Sequence, residues 1–287
     1  MKLLDGRSTS HILLQQLHQE IKTKATRPPG LAFICVGNDP ASRSYVQAKK
    51  KRCHEVGISS FDYEFDSSVT QHTLLELLQK LNVDPQVDGI LVQLPLPPHI
   101  DRESILSSID PLKDVDGFHP VNMGKLLLGE QSGLIPCTPS GIVELLFRHD
   151  LTFDAKEVVI VGRSNIVGKP LAALLMQNRP GLNATVTVAH SRTPHLKHVC
   201  QKADILVAAI GHAHFITKDM VKEHAIVIDV GINRLKEGAI VGDVHFASVA
   251  PHCSYITPVP GGIGPMTIAM LLKNTWLSYL RKIKPVH

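Results

Sequence analysis

The residues best suited to chemistry lie in a handful of short stretches. In Ser44-Tyr45-Val46-Gln47-Ala48-Lys49, Tyr45 and Lys49 stand four apart, so on a helix their side chains share one face. A phenol hydroxyl beside an amine can tune it or relay protons to it. The run Lys49-Lys50-Lys51-Arg52 equally suits a solvated basic face. Gln93 closes an apolar run before Pro95-Leu-Pro-Pro98, at the kind of strand end where open α/β sheets bind ligands. A glutamine satisfied by loop backbone is the plain alternative. Lys113-Asp-Val-Asp-Gly117 echoes part of a calcium loop but lacks the other ligands and the closing Glu. Asp116 can instead accept N–H groups from a ligand, or merely form an Asx-turn.

A second set of residues suits an anionic cofactor. Val158 to Val161 is a short, continuous β-branched run, followed at once by Gly162, then by Gly168 and Pro170 opening an apolar helix-like segment. Strand, glycine turn, helix aims backbone N–H groups and a helix dipole at a phosphate. Ser164 stands where the second glycine of G-x-G-x-x-G would be, so an ordinary strand–helix turn also fits. The next strand ends in His190-Ser191-Arg192, where an NAD enzyme usually carries an acid for the ribose hydroxyls. Ser191 and Arg192, with Arg163 in the phosphate turn, would hold a 2′-phosphate that a carboxylate would repel, which favours NADP over NAD. Pro258-Val-Pro-Gly-Gly-Ile-Gly-Pro-Met-Thr267 has three glycines in four residues before a helix, allowing close backbone approach to a ligand or simply a tight turn.

The elements that must position these residues alternate. Helical spacing marks His11 to Lys24, Pro40 to Val56, and Thr70, as N-cap, to Leu81. Asp101 can cap a short helix to Ile109. Buried strands read at Leu31–Val36, Ile58–Phe65 and Val87–Leu94. Residues 110–138 read as irregular, and Thr138 as the cap of a helix from Pro139 to His149. A second series follows, with strands at Glu157–Val161, Ala184–Ala189, Asp204–Ile210, Ala225–Val230 and Ser254–Pro258. Its helices read at Lys169–Asn178, Pro194–Lys202 and Lys218–His224, before a last helix from Pro265 to Lys282. The βαβα rhythm predicts an α/β fold with mainly parallel sheets and right-handed crossovers.

Composition narrows the class. A chain of 287 residues with 44% apolar and 20% charged residues suits one large or two medium globular domains. No apolar run is long enough to span a membrane, and no signal peptide is evident. Net charge is +4 and aromatics are 5%, with no basic stripe, so nucleic acid is not an expected partner. Five widely spaced cysteines read as free thiols in a reducing compartment, hence a cytoplasmic protein. Sixteen histidines are scattered without partners at ligand spacing, and no metal is expected.

Taken jointly and in order, these motifs resemble the bifunctional methylenetetrahydrofolate dehydrogenase/methenyltetrahydrofolate cyclohydrolase family in its compact bacterial form. The resemblance covers nearly the whole chain. It rests on Tyr45-Val-Gln-Ala-Lys49, Gly89-Ile-Leu-Val-Gln-Leu-Pro-Leu-Pro97, Asp114-Val-Asp-Gly-Phe-His119, Pro136-Cys-Thr-Pro-Ser-Gly141, Gly162 to Pro170, Asp229-Val-Gly-Ile-Asn233, Gly242-Asp-Val244 and Pro258 to Thr267. It implies that Lys49 is the catalytic lysine, tuned by Gln93 and set beside Tyr45, and that Asp116 holds the pterin ring. It implies NADP binding by Gly162, Arg163, Ser164, Ser191 and Ile232, with Thr267 on the cofactor side. Gly261, Gly262 and Pro265 fall on the folate side. Two α/β domains with a cleft between them are implied. Residues 1–140, completed by 265–287, form the folate-binding domain, and 141–264 a Rossmann-like NADP-binding domain. The implied partners are one-carbon derivatives of tetrahydrofolate and a second copy of the chain in a homodimer. Three other readings stay open at this point: a dehydrogenase without the hydrolysis, an NAD-using branch that recruits magnesium and phosphate, and a non-catalytic folate or nucleotide sensor.

Overall fold

The structure is a computed structural model that describes residues 1–283, with the backbone alone described at 40–44, where Ser44 lies. Among the described residues the elements run β1 (Lys2–Leu3), α1 (Gly6–Lys24), β2 (Gly30–Val36), α2 (Pro40–Val56), β3 (Ser59–Phe65), α3 (Gln71–Val83), β4 (Gly89–Val92), α4 (Arg102–Ser107), α5 (Pro120–Leu128) and α6 (Cys137–Phe147). They continue β5 (Glu157–Val161), α7 (Gly168–Leu175), β6 (Thr185–Ala189), α8 (Leu196–Cys200), β7 (Ile205–Ala208), β8 (Ile226–Asp229), β9 (Asn233–Arg234), β10 (Ile240–Val241), α9 (Phe246–Val249), β11 (Tyr255–Ile256) and α10 (Ile263–Ile283). Two compact units divide the chain: residues 12–137 with 268 onward, and residues 1–11 with 138–267.

In the first unit a parallel sheet runs β3-β2-β4, with Ile34 of β2 opposite Tyr63 of β3 and Val92 of β4. β4 is buried throughout, as its unbroken Gly-Ile-Leu-Val run requires. Leu74, Leu78 and Leu81 of α3 pack on Ala32, Ile34, Ile90 and Val92 to make the core. The expected caps are present. Thr70 Oγ1 accepts from Thr73 N at 3.2 Å, and an Asp101 carboxylate oxygen accepts from Glu103 N at 3.0 Å.

Residues 110–138 are more ordered than expected, because α5 stands among them. His119 Nδ1 accepts from Val121 N at 3.1 Å, Pro120 takes the first helical position, and Gly129 ends the helix at φ +77°. Its apolar residues are bunched as Leu126-Leu127-Leu128 around an internal Gly124, so the helical period is hidden.

In the second unit a parallel sheet runs β6-β5-β7-β8-β11-β1. The order of its first five strands is second, first, third, fourth, fifth, so its topological switch point falls between β5 and β7. A core of Val159, Val161, Leu206, Val227 and Ile256 fills one face.

Four expectations need correction. Residues 1–11 belong with this unit, since Lys2 and Leu3 pair in parallel with Tyr255 and Ile256, and a two-residue strand carries no period to read. Thr138 lies inside α6 and caps nothing; its hydroxyl meets that of Thr267 at 3.1 Å. Lys218–His224 forms only a 3-10 turn at Lys218–Met220. β7 stops at Ala208; past Ala209, a buried carboxylate and not a neighbouring strand takes the backbone donors of Ile210, Gly211 and His212.

Candidate active site

Helix α2 carries Tyr45 and Lys49 on one face, and Gln93 sits one residue beyond β4. The basic run splits. Lys50 forms ion pairs with Asp62 and Glu64, Arg52 pairs with Glu55 at 2.5 Å, and Lys49 turns inward to 5% exposure. Its Nζ donates to Gln93 Oε1 at 3.1 Å, while Gln93 Nε2 donates to the Leu94 carbonyl at 2.7 Å, which fixes the amide's orientation. The amine lies 4.5 Å from the centre of the Tyr45 ring. Contact is thus with the π face and not, as the spacing suggested, through the phenol hydroxyl.

Burial lowers the Lys49 amine below its ordinary value, and the negative charge of Asp116 pulls it partly back. The Tyr45 ring face also favours the ammonium form. Desolvation raises the Asp116 carboxyl to about 6, against the pull of Lys49. Burial likewise raises the Tyr45 phenol, with Asp116 adding to it. A lysine whose ammonium is disfavoured thus stands near an acid whose carboxylate is disfavoured.

The two aspartates of the 114–117 turn have separate tasks. Asp114 is buried and held within the protein: one oxygen accepts from His119 N at 2.8 Å and from Asn122 Nδ2 at 2.9 Å. Asp116 is half-buried, and among the described residues no donor bonds its carboxyl. Its oxygens are therefore available to a ligand.

Asn274, which the sequence did not single out, holds this turn together with Cys137 and Gly117. Asn274 of α10 is buried and donates to the carbonyls of Val115 at 2.8 Å and Ile135 at 2.9 Å. The Cys137 thiol donates to the same Val115 carbonyl at 3.2 Å, and burial pushes its pKa well up. A Cβ on Gly117, at φ +76°, would lie 2.6 Å from Pro136 N, so the turn packs directly on the 135–137 segment. The available signal for Asn274 is a lone amide among Leu271, Leu272 and Trp276.

In the other unit a cavity of about 620 Å³ opens at the C-terminal ends of β5, β6 and β7, at the switch point of the sheet. Gly162, Arg163, Ser164 and Ser191 line it, along with Ile210 and His212. Gly162 has φ +137°, and a Cβ there would collide with the Ala209 carbonyl; one on Gly168 would collide with the Gly162 carbonyl. Both glycines are therefore demanded by close backbone packing. Ser164 Oγ accepts from Val167 N at 3.1 Å, which shapes the turn into α7.

Arg192, Ile232 and Thr267 are not among the lining residues. Arg192 donates its backbone N to His190 Nδ1 at 3.2 Å, and Ile232 is 64% exposed. Thr267 shares its hydroxyl with Thr138 and donates to the Ile263 carbonyl at 3.2 Å. Gly261 and Gly262 stand immediately before α10, and Pro265 in its first turn. A Cβ on Gly262 would lie 2.6 Å from the Pro258 carbonyl oxygen, so this loop is tightly folded on itself. Among the described residues no group of three or more His, Cys, Asp or Glu side chains is arranged to hold a metal ion.

Residues 4–116 match the family model of the tetrahydrofolate dehydrogenase/cyclohydrolase catalytic domain, and residues 136–283 that of its NAD(P)-binding domain. The chain is 53% identical over 283 residues to the bifunctional protein FolD of Protochlamydia amoebophila, covering 96% of this chain and 97% of the relative. A crystal structure of the bifunctional FolD methylenetetrahydrofolate dehydrogenase/cyclohydrolase from Campylobacter jejuni superposes with a TM-score of 0.94 at 49% identity, over 98% of this chain and 99% of that one. The Trypanosoma brucei FolD, solved with NADP cofactor and inhibitor, gives a TM-score of 0.91 at 38% identity, over 98% of this chain and 97% of that one. The chain therefore belongs to the tetrahydrofolate dehydrogenase/cyclohydrolase family.

Proposed function

We propose that the chain oxidises 5,10-methylenetetrahydrofolate to the 5,10-methenyl form with NADP, and hydrolyses that product to 10-formyltetrahydrofolate. The observation that carries this reading is the buried Lys49 amine, bound at 3.1 Å by Gln93 and electrostatically coupled to Asp116, in a chain about half identical to bifunctional relatives.

The dinucleotide cavity suits NADP. The N-terminal end of α7 offers backbone donors and the positive end of a helix dipole, and Gly162 and Gly168 let the turn before it pack backbone on backbone. Arg163 and Ser191 supply a cation and a hydroxyl for a 2′-phosphate, and no carboxylate lines the cavity among the described residues to repel it. Bound there, NADP supplies a hydride acceptor for the methylene carbon. The product cation is delocalised over both folate nitrogens, so this step needs orientation more than a base. Asp116, with its oxygens available, accepts N–H groups of the pterin and sets that orientation. Ser191, Arg192, Ile232 and Thr267 remain assigned to the cofactor, and Gly261, Gly262 and Pro265 to the folate.

Hydrolysis does need proton transfer. Water adds to the methenyl carbon and gives a proton to the Lys49 amine. The carbon–N5 bond then breaks, N5 takes a proton back, and the former water oxygen becomes the formyl carbonyl with release of one proton overall. Gln93 holds the amine in place for both transfers.

Lys49→Met is expected to lower methenyltetrahydrofolate hydrolysis by at least about a hundredfold, with a smaller loss of NADP-dependent oxidation. Unchanged hydrolysis in that variant would remove Lys49 from the mechanism. Parallel assays with NADP and NAD, with and without magnesium, test the cofactor. A homodimer and a cytoplasmic location complete the proposal. The first rests on the family resemblance and is checked by light scattering against twice the chain mass of 31.4 kDa. The second is supported by five free thiols and checked by cell fractionation.

A further inference from the structure

β7 ends at Ala208, yet the segment after it forms a wall of the dinucleotide cavity through Ala209, Ile210 and His212. Sheet pairing holds Ala209, whose N donates to the Val161 carbonyl at 2.9 Å. It does not hold the next three residues. Their backbone donors converge on one side chain, Asp243, which is wholly buried. Asp243 Oδ2 accepts from Ile210 N at 2.6 Å and Gly211 N at 2.9 Å; Oδ1 accepts from His212 N at 2.9 Å and Asn233 Nδ2 at 2.9 Å.

The surrounding chain is built to admit this carboxylate. A Cβ on Gly231 would collide with Asp243 Oδ1. Asp243 N donates to Asp229 Oδ1 at 2.9 Å. Asp229 also accepts from Gly231 N and Val244 N, both at 2.9 Å, and its own N donates to Thr257 Oγ1 at 2.7 Å. Backbone N–H groups thus supply three donors to each of the two aspartates, and Asn233 a side-chain donor to Asp243. The Ala209 carbonyl in turn abuts Gly162, so the wall that Asp243 fixes lies directly against the phosphate turn.

We infer that Asp243 is the positioning residue of the dinucleotide pocket, setting the 210–212 wall against the glycine turn through three charge-assisted hydrogen bonds, with a fourth from Asn233 holding the carboxylate itself. The inference rests on the dinucleotide reading of that cavity. An amide cannot replace the carboxylate: in either orientation its NH2 group faces N–H donors, so Asp243→Asn loses two of the four bonds and opposes donor to donor. Asn233→Ala removes one bond and leaves the carboxylate in place.

The test compares two activities of one protein. Hydrolysis of methenyltetrahydrofolate needs no dinucleotide, whereas oxidation of methylenetetrahydrofolate does. Asp243→Asn is expected to raise the KM and the Kd for NADP about tenfold or more, and Asn233→Ala about threefold. Hydrolysis is expected to stay within about twofold of wild type in both. Unchanged NADP affinity in both variants overturns the inference. So does an equal loss of both activities in Asn233→Ala, since that would mark a general structural role. Failure of the wild-type protein itself to bind NADP would instead overturn the reading of the cavity, so the two failures are told apart.

Discussion

At neutral pH an ordinary lysine is almost wholly protonated and cannot act as a base. Burial shifts Lys49 downward from that ordinary value, in the direction a base requires, and desolvation shifts Asp116 upward. The consequence is a two-limbed pH dependence. The Asp116 carboxyl is raised from 3.8 to about 6, so it is the neutral acid below about 6 and loses an acceptor there. The KM for the folate is therefore expected to rise as pH falls through about 6. Lys49 is lowered from 10.5, so hydrolysis is expected to climb with pH and level off below that value. Asp116→Asn should raise the folate KM about tenfold and abolish the acidic limb. If the variant keeps the wild-type dependence near pH 6, another group is responsible. Measuring KM and kcat for hydrolysis between pH 5 and 9 decides both limbs.

At the scale of elements, the site depends on segments far apart in sequence being tied by a few buried polar groups. Asn274 on α10 binds the carbonyls before Asp116 and before Pro136, so the turn that presents Asp116 is set by a helix some 160 residues away. Asn274→Ala leaves the Ile135 carbonyl without this donor and weakens the hold on Val115. It is expected to cost about 2 kcal/mol in urea unfolding, with a higher folate KM and an NADP affinity within about twofold. A stability loss with no change in folate KM would make Asn274 a packing residue only. The same long range explains what could be read from sequence. The β/α rhythm and the caps at Thr70 and Asp101 were legible because periods and caps are local signals, whereas the roles proposed for Tyr45, Lys49, Gln93 and Asp116 came from the family resemblance and not from spacing. β1 was not, since two residues have no period, nor was α5, whose leucines are consecutive. Asn274, Cys137 and Asp243 act on backbone groups whose neighbourhood only the fold creates, so no spacing announced them. The inward turn of Lys49 was also hidden, because Lys50, Lys51 and Arg52 beside it carry the same charge.

At the scale of the whole molecule, each compact unit has its own apolar core, one built on β2 and β4 and the other on β5, β7 and β8. A ligand that binds only the native form of one unit stabilises that unit by mass action, by about 2.7 kcal/mol at a free concentration of a hundred times Kd. NADP contacts assigned to Gly162, Arg163, Ser164 and Ser191 all fall in residues 138–267. Amides that exchange by opening of that unit are therefore expected to slow about a hundredfold on saturation with NADP, including those of residues 1–11, whose strand β1 completes its sheet. Amides of residues 12–137 should slow far less. Hydrogen exchange read by mass spectrometry gives both numbers from one sample. Protection confined to residues 12–137 would place the dinucleotide in the other unit. Equal slowing throughout would mean that the chain opens as one cooperative block. In Asp243→Asn, the same experiment at a fixed NADP concentration should show the protection of 138–267 reduced in step with the raised Kd. That links the single buried carboxylate to the response of the entire unit.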